Sequence, residues 1–476
     1  MDIHVSLKGR GDLSGQIYRQ LVEAVVDGRL RRGDRVPPTR ELAKRLSVSR
    51  NTVGVAYERL SAEGFLTSRV GDGTFVAADR LGSARDRHAP AGDVGAREQW
   101  ASAGEAFSTT PPAVAYDFRV GAPDPRLFPL AAWRRCVARE LRPAAVFAPG
   151  ADEAGGHAGL RRAIARHIGV SRAVHAAADD VLVTHGTQQA LDLIGRVLLE
   201  PGMCVAVEEP GYARVRQLFT RLGAHVVGVP VDAEGMNVAA LPRAARLVYV
   251  TPSHQFPLGV AMSLERRIAL LAWANSRRAI VVEDDYDSEF RFTGRPLDPL
   301  QSLDRDGRVI YVGSFSKVMR PVVRLGFLVA PASLQPALRL AKQLTDSSGV
   351  LPTQAALARF IDEGLLAKHI RKAAREYAIR HERIVATLRR DFRLWLDVIP
   401  SSAGLHVAAR SVGRKSLDVD RVVACALDAG VRVYPLSRFS FERPGSPGLV
   451  IGYGVVPTAR IDEGLRRLRA CFSARR

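Results

Sequence analysis

The sequence predicts two folds in series. A small helical module closed by a β-hairpin comes first, followed by a large α/β domain with a mostly parallel sheet and a smaller C-terminal α+β unit. Three observations predict this. Helical periodicity before Phe65 gives way to two short strands around Gly71-Asp72-Gly73. From Tyr116 onward short apolar strands alternate with amphipathic stretches, the pattern of a parallel sheet with helical crossovers. A chain of 476 residues exceeds what one core organises, so two or three domains are expected.

In the first module Ile17, Leu21, Ala24 and Val25 form one helical stripe, and Gly28 can close that helix. Residues 29–35 make a basic connection. Thr39 is the expected N-cap of a short second helix carrying Leu42, Ala43 and Leu46. Ser47-Val48 is a tight turn and Ser49 a second N-cap. Val53, Ala56, Tyr57 and Leu60 then fall at i, i+3, i+4 and i+7, and Gly64 ends the third helix. Residues 65–70 and 74–77 are the strands of the hairpin.

Three helices and a hairpin make a winged helix-turn-helix, whose third helix enters the major groove by its N-terminal residues. Those residues are Arg50, Asn51 and Thr52. Arginine reads guanine bidentately and asparagine reads adenine. Arg40 can reach a phosphate or a base, and Gly71 and Gly73 let the wing tip approach the minor groove closely. The implied partner is double-stranded operator DNA.

Charge supports that partner. The chain carries 69 Lys+Arg against 49 Asp+Glu, a net +20. Residues 29–50 hold eight basic side chains against Asp34 and Glu41 alone. The surplus elsewhere is either a drift toward arginine, since only seven of the 69 basic residues are lysine, or an accessory DNA-contacting face. No apolar run reaches the roughly 18 to 20 residues of a membrane span, and residues 1–10 lack an apolar leader core. A cytoplasmic protein without membrane contact is expected. Cys136, Cys204, Cys425 and Cys471 lie far apart in sequence and form no C-x-x-C. This suits a reducing compartment and speaks against structural zinc, so no metal is expected.

Residues 79–115 are rich in Ala, Gly, Arg, Asp, Pro and Ser and read as a flexible tether. The large domain then offers strands near residues 181–183, 204–207, 225–229, 247–250, 280–282 and 309–312. The pattern changes after about residue 345, where a long helical stretch leads into the smaller unit. In such a sheet the ligand site lies beyond the strand C-termini.

The strand ends carry the chemistry. Lys317 follows Val312-Gly313-Ser314-Phe315-Ser316, and Asp284 and Tyr286 follow the apolar run 279–282. A lysine and an acid delivered by two buried strands are what a pyridoxal phosphate (PLP) site requires: the lysine forms the Schiff base and the carboxylate keeps the pyridinium nitrogen protonated. Taken alone, Lys317 reads as a surface turn lysine; the joint pattern of lysine, acid, glycine turn and arginine reverses that. Gly186-Thr187-Gln188, at a strand-to-helix turn, offers backbone N–H groups to a phosphate. Tyr212 can stack on a ring, Arg214 can hold a carboxylate, and Arg324 can pair with a phosphate. The acids at 283, 284, 285, 287 and 289 could also be a solvated loop. An EF-hand counted from Asp285 fails, because Phe290 stands where glycine is needed.

Several motifs carry a resemblance. Pro37-Pro38-Thr39-Arg40-Glu41-Leu42-Ala43, Val48-Ser49-Arg50-Asn51-Thr52-Val53 and Gly71-Asp72-Gly73-Thr74-Phe75-Val76 resemble the GntR-type winged helix. Pro38 stands where that family often has a capping serine, a role Thr39 can take. Residues 116–476 are similar to a fold-type-I aminotransferase domain, on Gly313-Ser314-Phe315-Ser316-Lys317 with Arg324-Leu325-Gly326. Thr251-Pro252-Ser253-His254-Gln255-Phe256-Pro257 and the segment 283–291 resemble the MocR subfamily of GntR regulators, in which the two folds are fused. The resemblance implies a winged helix over 12–78, a linker over 79–115 and a PLP-binding domain over 116–476. It further implies that Lys317 forms the internal aldimine, Asp284 pairs with the pyridine nitrogen and Tyr286 contacts the phenolic oxygen. Tyr212 would stack on the ring, while Ser314, Ser316, Arg324 and the backbone of Gly186, Thr187 and Gln188 hold the phosphate.

The chain departs from the family pattern at four places. Leu258 replaces a small hydroxyl residue, and His185 a serine. Ala151 lies where a tyrosine is usual, and residues 449–453 lack an arginine that clamps a carboxylate in some relatives. Arg214 and Arg438 remain as carboxylate candidates. The expected function is a homodimeric, PLP-responsive transcription regulator of vitamin B6 or amino-acid and amine metabolism. Its effector would be PLP or the PLP aldimine of an amino compound. The alternatives are a working aminotransferase with an accessory DNA-binding domain, and a DNA-binding protein with an inactive PLP fold.

Overall fold

The computed structural model describes residues 5–9, 11–69, 71–77, 95, 97, 100, 113–146, 154–292, 294, 298–320, 323–412, 417–442, 445 and 447–473. It divides into two compact units, Met1–Ala96 and Arg97–Arg476. Most of the expected tether, and Ala151, fall outside the described residues.

The first unit has helices Leu13–Val26, Thr39–Leu46 and Arg50–Ala62, then strands β1 (Leu66–Arg69) and β2 (Gly73–Val76) paired antiparallel. Ile17, Leu21, Leu42, Val53, Tyr57 and Leu60 meet in one apolar core. The first helix is capped by Asp12, whose carboxylate accepts from the Gly15 amide. Ser49 caps the third in the same way, accepting from the Thr52 amide at 3.0 Å. The second helix corrects the expectation at Thr39. The N-cap there is Pro38, Thr39 is already helical, and no side chain caps this end. Proline's fixed φ suits an entry to a helix, so the residue before Thr39 takes the boundary. The wing turns at Gly71 and Gly73, with φ of +85° and +113°.

The second unit is built on an eight-stranded sheet. Its strands are β4 (Val181–Thr184), β5 (Cys204–Glu209), β6 (His225–Asp232), β7 (Gly235–Met236), β8 (Leu247–Val250), β9 (Ile280–Asp285), β10 (Val309–Ser314) and β11 (Gly326–Val329). The spatial order is β4-β11-β10-β9-β8-β5-β6-β7. Pairs β10/β9, β9/β8, β8/β5 and β5/β6 are parallel, while β11 runs antiparallel to both β10 and β4. Alternate side chains feed separate apolar clusters, which is why these strands read as unbroken apolar runs. Leu182, Val207, Tyr249, Val282 and Val312 enter one cluster, and Ala206, Val248, Val281 and Val309 another.

The smaller unit is a four-stranded antiparallel sheet of β12 (Leu396–Val398), β13 (His406–Ser411), β16 (Gly448–Gly452) and β15 (Tyr434–Pro435). The 27-residue helix Leu365–Asp391 precedes it. Strand β3 (Tyr116–Asp117) pairs parallel with β14 (Val431–Arg432), so the first residues of the large domain join its last part. The fold also corrects the reading of isolated cysteines. Cys425 and Cys471, on helices Val419–Asp428 and Ile461–Ser473, form a disulfide across a separation of 46 residues. No helix among the described residues is long and apolar enough to cross a membrane.

Candidate functional site

Strands β4, β5, β8, β9 and β10 run in one direction, and their C-terminal ends converge on a cavity of about 490 Å³. Thr187, Gln188, Tyr212, Arg214, Asp284, Tyr286, Ser314, Ser316, Lys317 and Arg324 line it, residues drawn from five stretches of sequence. Gly186 stands just behind as the N-cap of helix Thr187–Leu198, with φ of +81° and no side-chain cap. The first amides of that helix therefore have no intrahelical acceptor and face a favourable dipole for an anion. Glycine is required on the neighbouring strand as well, since a Cβ on Gly326 would lie 2.7 Å from the Gly186 Cα.

Lys317 sits in the turn after β10, where its Nζ donates to the Gly121 carbonyl at 2.6 Å. Burial pushes its pKa below the ordinary lysine value, partly opposed by Asp287 and Asp284. A lowered pKa makes the neutral, nucleophilic amine accessible. Asp284 is buried and accepts from the Tyr249 hydroxyl at 2.7 Å through Oδ2, whereas Oδ1 has no partner. Burial raises its pKa to about 7. Alternation along β9 sends Glu283 and Asp285 to the opposite face. There Asp285 pairs with Arg172 at 2.8 Å and Tyr311 at 2.6 Å, and Glu283 accepts from the Leu300 and Gln301 amides. Of the acidic run only Asp284 reaches the cavity.

Arg324, at φ +50°, donates to the His185 carbonyl at 2.7 Å beside Gly186, and the Ser316 amide donates to Ser314 Oγ at 3.1 Å. Burial raises the Tyr212 hydroxyl to about 12. Arg438 is not brought to the cavity. It is exposed on a short 3-10 turn, its guanidinium 5.2 Å from the Tyr434 ring centre. Val450, on the strand that lacks an arginine, is wholly buried. The departures from the family pattern also have places. Leu258 packs with Val260, Ile399 and Val450, and the His185 ring lies 2.9 Å from Asp346.

Several wall residues escaped the sequence reading: Val120, Gly121, Tyr249, Thr251 and Phe256. Tyr249 carries a usable signal, a lone hydroxyl in the aliphatic strand Leu247–Val250. Gly121 carries none, because only the fold brings it to Lys317. Behind the wall His254, Asp287 and His406 group three buried donor atoms within 4.8 Å of one another, which no sequence spacing announced.

In the first unit Arg40, Arg50 and Asn51 are exposed, and Arg50 and Asn51 open the third helix. Thr52 is half-buried, its hydroxyl 2.8 Å from Ser49 Oγ, so it contributes to the cap. Gly71 and Gly73 form the wing tip. The side chain of Arg35, from the basic connection, lies so close to Gly73 that a Cβ there would approach its Nε to 2.8 Å.

A winged helix with an exposed basic recognition end, in one chain with a cavity of this donor set, defines a class of regulators: DNA-binding modules fused to an aminotransferase fold. Residues 13–76 match the bacterial regulatory proteins of the gntR family, and residues 151–469 match aminotransferase class I and II. The chain is 38% identical to the probable rhizopine catabolism regulatory protein MocR of Rhizobium meliloti, over 96% of this chain and 93% of that protein. It is 31% identical to the pyridoxine biosynthesis transcriptional regulator PdxR of Corynebacterium glutamicum, over 92% and 91%. The second unit is similar to the Pyrococcus horikoshii kynurenine aminotransferase crystallised with PMP. That likeness has a TM-score of 0.70 and 29% identity over 76% of this chain and 91% of that one. The chain belongs to the MocR-type transcription regulators of the gntR family, whose aminotransferase-fold relatives are PLP-dependent.

Proposed function

We propose that this regulator binds PLP in the cavity at Lys317 and that PLP, or its adduct with a small amino compound, is the effector that changes operator binding. One observation carries the reading: a buried carboxylate oxygen without a partner, Asp284 Oδ1, shares one cavity with a lysine of lowered pKa and an uncapped helix start. An unsatisfied buried carboxylate is costly, and a protonated ring nitrogen supplies the missing donor. Bound there, PLP supplies an electrophilic carbonyl carbon and an electron sink for amines.

The protein's own residues have separate tasks in this reading. Lys317 would present its amine, and Asp284 would hold a proton on the ring nitrogen. Tyr286 would meet the phenolic oxygen and Tyr212 would cover the ring. Ser314, Ser316, Arg324 and the backbone of Gly186, Thr187 and Gln188 would hold the phosphate. Arg214 is the remaining lining cation for an effector's acidic group, with Arg438 away from the cavity. The domain limits 12–78, 79–115 and 116–476 and a homodimer belong to the same proposal. The name of PdxR supports a link to vitamin B6, and that of MocR a link to catabolism of an amino compound.

A regulator is favoured over a turnover enzyme by the lack of an arginine over residues 449–453, where some relatives clamp a carboxylate. The test titrates PLP and a panel of amino compounds while following visible absorbance and binding to the protein's own upstream DNA. The expected result is a visible band, lost in Lys317→Ala, and an operator affinity that differs between the free and loaded states. Ordinary multiple-turnover transamination with an operator affinity indifferent to PLP would overturn the proposal.

A further inference from the structure

The hydroxyl of the cavity tyrosine Tyr286 meets a buried histidine. It lies 3.0 Å from His254 Nδ1, and the same nitrogen lies 3.0 Å from Asp287 Oδ1. The other ring nitrogen, Nε2, is 3.1 Å from Ser401 Oγ, and Ser401 donates its hydroxyl to the Ala403 carbonyl at 3.1 Å. A serine has one proton to give. With it spent on Ala403, Ser401 accepts from His254, so Nε2 carries a hydrogen. The Nδ1 atom then serves one neighbour at a time. Protonated, it donates to Asp287 and leaves the Tyr286 proton to the cavity. Bare, it accepts the Tyr286 proton, and that oxygen faces the cavity with lone pairs only.

We propose that His254 is a positioning residue that decides, through Tyr286, whether the cavity offers a donor or an acceptor to the phenolic oxygen of bound PLP. This rests on the cofactor reading above. The side chains of His254 and Asp287 are each 2% exposed, and a buried carboxylate without a charged or donating partner is strongly disfavoured. In the resting arrangement His254 Nδ1 is therefore engaged with Asp287, and Tyr286 is left as donor to the cavity. Gly404, at φ +89°, packs so tightly on the His254 ring that any Cβ would overlap it, which holds the ring in register.

The other titratable groups around this network are His406, His381, Asp284, Glu289, Lys317 and Tyr453, with Glu208 near Tyr286. The ring of His406 is 4.8 Å from that of His254, and its Nε2 is 3.0 Å from the Pro257 carbonyl. Burial keeps His406 well below the ordinary histidine range, hence neutral. Burial first, and His254 second, push His381 to about 4. Neither of these two rings adds a charge to the layer at neutral pH.

A donor to the phenolic oxygen stabilises its anionic form and lowers the pH at which the PLP chromophore titrates. The test loads the full-length protein with PLP and follows its absorbance against pH. Variants are Asp287→Asn, His254→Gln, Tyr286→Phe and the double Tyr286→Phe/Asp287→Asn. Losing the carboxylate leaves Nδ1 bare, Tyr286 turns to it, and the midpoint rises by about one to two pH units. Tyr286→Phe raises it similarly, and the double variant rises no further than Tyr286→Phe alone. An unmoved midpoint in Asp287→Asn with PLP still bound, or shifts that add in the double variant, would overturn the inference. If Asp287→Asn fails to fold, His254→Gln must give the same rise, because its amide accepts from Tyr286 and cannot become a cation. A wild-type protein with no visible band refutes the cofactor reading itself, an outcome distinct from an unmoved midpoint.

Discussion

The two units differ in where they keep their charge. Among the described residues of the winged helix, no polar or charged side chain is buried; its core is Ile, Leu, Val, Ala and Tyr, and its arginines stand outside. The second unit buries Arg172, Arg267, Glu208, Glu283, Asp284, Asp285, Asp287, His254 and Arg380. A DNA reader needs cations at its surface, where a polyanion can reach them. A cofactor cavity needs charges fixed in a dry interior, and each one requires a partner. The first design is robust to single polar changes. The second is not.

The largest test of that contrast is Arg267, which is wholly buried in the second unit. Its guanidinium donates to the Met262, Asp298 and Pro252 carbonyls at 2.8 to 3.0 Å and lies 3.9 Å from Glu283. Arg267→Ala removes a buried donor from three carbonyls and the cation beside Glu283 at once, and is expected to cost about 3–5 kcal/mol in chemical denaturation. Exposed Arg40 of the winged helix, changed to alanine, is expected to cost less than about 0.5 kcal/mol. Equal losses at the two positions would refute the contrast.

A step down in size is the pH response of the cavity. Burial holds Asp284 protonated up to about pH 7, far above its unfolded value of roughly 3.9. A raised folded pKa contributes stability that is complete below about pH 4 and lost as pH rises to about 7. Glu208 and Glu283, also raised to about 7, add to the same slope. The cofactor-free protein should therefore lose stability between about pH 5 and pH 7.5. Asp284→Asn should recover on the order of 2 kcal/mol of that loss. Thermal melts with equal slopes for the two proteins would show that Asp284 is not the strained acid.

The same contrast explains how much the sequence could tell. Pattern and caps were enough for the winged helix, because its functional residues are neighbours in the chain: Ser49, Arg50 and Asn51 sit at one helix start. The sheet was legible from its aliphatic runs, and Lys317 and Asp284 from the turns that end them. The cavity wall was not. Gly121 reaches Lys317 from 196 residues away, and Ser401 reaches His254 from 147. Arg438, chosen because arginines were scarce near residue 450, lies on the outside. Thr39 failed as a cap because two prolines before it set the backbone first.

Within the winged helix the expected effects are smaller. Arg50→Ala should weaken specific operator binding by roughly 1–3 kcal/mol at fixed salt, if the third helix reads bases. A loss of similar size on unrelated DNA would reduce Arg50 to a phosphate contact.

The smallest effect separates helix capping from DNA contact at Ser49. Its backbone is extended, at φ −67° and ψ 148°, and its Oγ accepts from the Thr52 amide at 3.0 Å. Ser49→Ala leaves that amide without a partner and should destabilise the helix start by about 1 kcal/mol. Ser49→Gly, which lets water and backbone freedom replace the cap, should cost only a few tenths of a kcal/mol. Hydrogen exchange in the full chain should then be faster at Val53 and Gly54 in the alanine variant than in the glycine one. Operator affinity should follow the same order, because Arg50 and Asn51 are presented by this first turn. A hydroxyl that touched phosphate directly would instead be missed equally in both variants, so equal losses of affinity would assign Ser49 to the DNA contact and leave the cap a secondary role.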